Sequence, residues 1–145
     1  THWQRQYLHP MLKAFDAPMR EECVARRNVS NTPQAALALL NDPSFIECAK
    51  MFAIQILRER ATSDNDRLRT AWRELLTRDP SSLEKSTLEQ FLSAARDEFA
   101  DENAASQLLS AGLVPTPADI SARALAAWTS VTRLLFNLNE SLIRD

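Results

Sequence analysis

Gly112 is the only glycine in 145 residues, and that count removes whole classes of fold and site. Tight hairpins, phosphate-cradling loops and nucleophile elbows need a positive φ or a close backbone approach, which glycine supplies most readily. A chain with one glycine carries no dinucleotide fingerprint, no P-loop and no G-x-S-x-G turn. Strand-type alternation is missing as well. The expectation is all-α: a compact helical bundle of about six to seven helices without a sheet. Residues 1–145 are one domain's worth of chain, long enough to bury a proper core.

Prolines then mark where helices begin. The segment 27–45, RNVSNTPQAALALLNDPSF, holds two helix starts of the same design, Asn31-Thr32-Pro33 and Asn41-Asp42-Pro43. In each, a capping side chain precedes a proline; the cap accepts from a first-turn N–H, and proline has none to leave orphaned. Between the two starts, Ala36, Leu37, Leu39 and Leu40 form a short, very apolar helix.

The remaining elements follow in chain order. Residues 1–17 suggest a short helix or turn and then an extended segment, because Pro10 interrupts any longer helix. A helix over 18–27 follows, with Asp16 as a nearby cap, Glu21 and Glu22 in its first turn and Arg26 and Arg27 in its last. The helix from Pro43 to about Arg60 carries Phe45, Cys48, Ala49, Phe52, Ala53, Ile56 and Leu57 at helical spacing. Ile46, Met51 and Ile54 lie off that stripe, so a second covered face is expected and this helix is assigned the centre. Helices ending near Arg78 and Ala100, joined through Asp79-Pro80-Ser81-Ser82, should pack as an antiparallel hairpin. A helix over 102–111 should stop at Gly112 as a left-handed cap. After Val114-Pro115-Thr116-Pro117, a last helix of about 23 residues, about 34 Å long, starts at Asp119 or Ser121. Its seam is Trp128, Val131, Leu135, Leu138 and Leu142.

Charge and composition narrow the function classes. A net charge of −2 provides no footprint for nucleic acid. That balance, with the apolar first helix, argues against helix-turn-helix DNA recognition at the proline corners. No apolar run approaches the ~20 residues of a spanning helix, and the segment 1–10 is no signal peptide. Cys23 and Cys48 read as small buried apolar side chains, with a disulfide open if the chain is exported. His2 and His9 could share a helical face, but Pro10 follows at once, which makes haem or metal ligation there a weak reading. Trp3, Trp72 and Trp128 read mostly as core anchors.

The motifs Phe15-Asp16-Ala17-Pro18, Arg20-Glu21-Glu22-Cys23, Asn31-Thr32-Pro33, Ala36-Leu37 and Leu39-Leu40-Asn41-Asp42-Pro43 occur in that order. Arg78-Asp79-Pro80, Gly112, Ala126-Ala127-Trp128 and the run 135–140 (LFNLNE) follow them. Together they resemble the C-terminal part of a planctomycete-type domain family of unknown function, over nearly the whole chain. Gln34-Ala35 departs from that pattern, which usually has Leu-Gln after Asn-Thr-Pro. The resemblance implies a large exported protein, often with a cytochrome-c-like module upstream, hence an extracytoplasmic, redox-associated setting. It also implies that residues 1–145 are the C-terminal portion of a larger domain truncated at its N-terminus. No catalytic residue comes with it. Any haem would belong to an upstream module, because C-x-x-C-H is missing here and the chain itself is expected to hold no cofactor.

The densest polar group comprises Asp16, Arg20, Glu22, Arg26, Arg27, Asn31, Thr32, Asn41 and Asp42, with Asn137 and Glu140 a second, later pair. One reading is a cleft in which guanidinium and carboxylate groups grip an anionic or sugar ligand. The other is a network of caps and ion pairs that fixes the corner between two helices. Each member's local capping or dipole role favours the second. Asn137 reads equally as a buried amide that fixes helix register. The functional expectation is a non-catalytic helical module that packs against upstream domains of the same polypeptide. The alternative is part of a hydrolytic or redox site built on the Asp16–Asn31 group.

Overall fold

Among the described residues, three helices begin on a proline. The computed structural model describes residues 8–18, 25, 32–59 and 63–142, and α1 (Pro10–Ala14), α2 (Pro33–Asn41) and α3 (Pro43–Arg58) each have proline as first residue. The chain continues through α4 (Asp64–Leu76), α5 (Ser82–Glu98), α6 (Glu102–Leu109), α7 (Ala122–Phe136) and α8 (Asn139–Leu142). The protein is all-α, with no strand among the described residues. Pro10 opens a helix rather than merely breaking one, since its missing N–H is harmless in the first turn. The helix expected over 18–27 falls almost wholly outside the described residues.

The corner between α2 and α3 turns on one residue. The Asp42 N–H closes α2 by donating to the Ala38 carbonyl, 2.9 Å away, while its carboxylate opens α3 by accepting from the Ser44 N–H at 2.8 Å. Thr32 caps α2 in the same manner, its hydroxyl accepting from the Ala35 N–H at 3.2 Å. Polar side chains open later helices too. Ser63 caps α4, Ser81 and Glu84 form a reciprocal capping box on α5, and Asp101 caps α6. Each satisfies donors that a helix start leaves without intrahelical partners.

The central helix is α7, a correction to the assignment of α3. Leu125, Ala126, Ala127, Trp128, Thr129, Val131, Thr132 and Leu135 are all buried, so α7 has no polar face over its middle turns and lies inside the bundle. It packs against α2, α3, α4, α5, α6 and α8. Ala126 and Ala127 leave room for close neighbours. The two threonine hydroxyls are satisfied by backbone: Thr129 donates to the Leu125 carbonyl at 2.7 Å, and Thr132 reaches across to the Ala49 carbonyl of α3 at 2.8 Å. By contrast α3 keeps an outward face. Met51 on it is 54% exposed and Cys48 is exposed and free, not buried as expected. Ser44, Cys48, Met51 and Gln55 are all exposed and follow one helical stripe pointing away from α7.

The last helix is broken, not continuous. It stops after 15 residues, about 22 Å of rise, and α8 restarts at Asn139. Asn137 adopts φ −92° and ψ 0° and folds its N–H back onto the Arg133 and Leu134 carbonyls. The Ser141 hydroxyl then donates to the Phe136 and Leu138 carbonyls at 3.1 and 2.6 Å. That side chain satisfies what the break exposes, which a leucine seam could not reveal.

α4 and α5 form the expected antiparallel hairpin, fastened at both ends. Asp64 at the start of α4 pairs with Arg96 near the end of α5 at 2.7 Å, and Arg78 beyond α4 meets Glu84 in the first turn of α5 at 2.7 Å. Between them Leu68, Trp72, Leu88 and Leu92 are buried in one core with Ile56, Leu125 and Trp128, each large apolar side chain contributing about 1.5–3 kcal/mol.

Candidate functional site

Three groups of side chains merit comparison, and the twin-proline corner comes first. It is tied into the bundle from behind: the Arg133 guanidinium on α7 donates to the Leu40 carbonyl at the end of α2. Burial pulls the Arg133 guanidinium below its usual range, partly offset by Glu98. On the outer side, α1 and the corner enclose an open groove of about 710 Å³. Pro10, Ala14, Leu37, Ala38 and Pro43 supply apolar lining, while His9, Lys13, Gln34, Asn41 and Asp42 supply polar groups. Gln34, Leu37, Ala38 and Asn41 stand at i, i+3, i+4 and i+7 on α2, one continuous face. Ala35 and Leu39 turn the other way and are buried. Phe15 and Phe45, with ring centroids 5.9 Å apart, hold the chain after α1 against α3.

The candidate polar network is therefore divided. Thr32 and Asp42 serve as caps, and the Asn41 side chain donates to the Leu37 carbonyl at 3.1 Å. Asp16 lies just past α1 with φ +53°. Arg20, Glu22, Arg26, Arg27 and Asn31 lie outside the described residues, as do His2, Trp3 and Cys23. Glu140 is engaged by Arg78, in the connection after α4. Asn137 keeps a buried Oδ1 without a hydrogen-bond partner among the described residues.

The second group centres on Arg78. Its guanidinium donates to both Glu84 oxygens at 2.9 and 2.7 Å and to both Glu140 oxygens at 2.7 Å. It also lies 5.0 Å over the Trp72 ring, a cation–π arrangement. This one side chain joins α4, α5 and α8. Arg78 with the Ser81 cap holds the Glu84 carboxyl down at about 2, and Arg78 lowers that of Glu140 as well. Next to it, Asp79 pairs with Arg69 at 2.7 Å, beside a second opening of about 390 Å³ lined also by Asn65, Asp66, Pro80 and Lys85. The Arg69 guanidinium keeps the Asp79 carboxyl below its ordinary value. Charges here meet opposite charges, so the arrangement reads as fastening rather than as acid–base chemistry.

The third group centres on a buried lysine and was missed by sequence reasoning. Lys50 is 1% exposed, and its ammonium donates to the Leu109 and Val114 carbonyls at 2.8 and 2.6 Å. Glu47, one turn earlier, accepts from the Leu113 and Val114 N–H groups at 2.5 and 2.6 Å. Two charged residues of α3 thus grip the loop between α6 and α7 from opposite polarities. Burial pushes the Lys50 ammonium below its ordinary value, with Glu47 opposing. The available signal was positional. Lys50 stands four residues after Ile46 and three before Ala53, on an apolar face where a charge must find partners.

Among the described residues no three His, Cys, Asp or Glu side chains come together as a metal site, and no helix there is long and apolar enough to cross a membrane. What fold and side chains define is an all-α domain whose charged groups chiefly close helix ends and fasten neighbouring elements. The chain belongs to the PSD1 family, protein of unknown function (DUF1553), whose family model matches residues 1–92. The matched part includes the twin-proline corner, Arg78-Asp79-Pro80 and α5 as far as Leu92. The motifs at Gly112, 126–128 and 135–140 lie beyond it. No curated protein and no solved structure matches the chain.

Proposed function

We propose that this domain is a non-catalytic helical module that docks other domains of a large exported polypeptide, in a redox-associated setting. The observation that carries this reading is the groove beside the twin-proline corner. Leu37 is 58% exposed there on a largely apolar helix, in an open groove whose apolar lining is alanine, proline and leucine. Exposed apolar surface rimmed by polar groups is the physical signature of a contact site. Thr32 and Asp42, residues that a hydrolytic site at this corner would recruit, are occupied as caps, which supports docking over catalysis. On this reading the partners are the upstream domains, no nucleic acid or cofactor belongs to this chain, and any haem resides in an upstream module.

The test is a pull-down of the upstream modules by this domain, supplied as a separate chain, with Leu37→Lys as the variant. Retention by the wild type and loss by the variant, at unchanged helical circular dichroism, is the expected result. Equal retention by both, or none by either, would overturn the reading. Turnover of a generic ester or redox dye that depends on Asp42 would favour the enzyme alternative instead.

A further inference from the structure

We draw no further inference here: the strongest candidate, the pair of half-buried Glu47 and buried Lys50 on α3 that fastens the loop between α6 and α7 with Leu113 at its tip, is spent on the backbone groups it satisfies, and nothing in the structure shows what covers the exposed leucine.

Discussion

Glu47 stands where a side chain on Gly112 would have to go. A Cβ at that glycine would fall 2.6 Å from the Glu47 Cδ and 2.7 Å from its Cβ, and the glycine backbone is left-handed at φ +84°. The chain's only glycine is thus required twice at one point, for its conformation and for its lack of bulk. The close approach lets the Glu47 carboxylate reach the two following amides.

Gly112→Ala should therefore destabilise the domain by about 1–3 kcal/mol, combining left-handed strain with the contact on Glu47. Chemical denaturation measures it directly. Hydrogen exchange at the Leu113 and Val114 amides should accelerate in the variant, because the loop must shift off Glu47. An unchanged midpoint with unchanged exchange would show that the loop is not seated on α3.

Lys50 should make stability rise with pH over a range where it usually falls. Burial favours the neutral amine in the folded chain, so the folded pKa lies below the ordinary value of 10.5. The unfolded chain then binds more protons between the lowered pKa and 10.5, and stability climbs with pH across that window. Lys50→Met removes this contribution, leaving the Leu109 and Val114 carbonyls unpaired at a cost of about 1–3 kcal/mol. Melting temperatures of both proteins at several alkaline pH values isolate the effect. If the difference between them stays constant up to pH 10.5, the buried-ammonium account fails.

Thr77 is a β-branched residue at φ +59°, closing α4 in the left-handed region. Its hydroxyl donates to the Leu76 carbonyl at 2.7 Å, which offsets only part of the strain. Glycine is the usual residue at such a helix end. Thr77→Gly should raise stability by about 0.5–1 kcal/mol, read from the urea midpoint. A loss would mean that the hydroxyl contact outweighs the backbone cost.

How much of this was legible beforehand depends on the range of the interaction. Thr32, Asp42, Ser81 and Ser63 act on N–H groups two or three residues away, and local spacing marks helix starts of that kind. The apolar stripes of α4 and α5 were equally plain, because Leu68, Trp72, Leu88 and Leu92 follow one helical face. The central place of α7 was hidden, since its continuous burial comes from neighbours contributed by distant helices. The candidate polar group mixed two regions: Asp42 closes a local corner, whereas Glu140 meets Arg78, 62 residues away in sequence. Lys50 was hidden for the same reason, its partner carbonyls lying 59 and 64 residues on.

Arg78 should make the domain acid-sensitive in a defined window. Both carboxyl groups it holds, Glu84 and Glu140, are lowered from the model-compound value of 4.5, Glu84 to about 2. A lowered folded pKa means that the stabilisation is fully present above the unfolded value and disappears as pH falls through the folded one. Melting temperature should thus decline as pH drops from 4.5 toward about 2, with α8 loosening from Arg78 and α4. In Glu140→Gln one arm of the clamp becomes neutral, so its melting temperature at pH 7 should be slightly lower. Its fall on acidification should be shallower, because one titrating group has gone. High salt should weaken these exposed pairs in the wild type and narrow the gap between the two proteins. Identical acid profiles for wild type and Glu140→Gln would sink the assignment of α8 docking to this guanidinium. A variant that loses its steep acid transition but keeps its near-ultraviolet aromatic signal at pH 7 would support it.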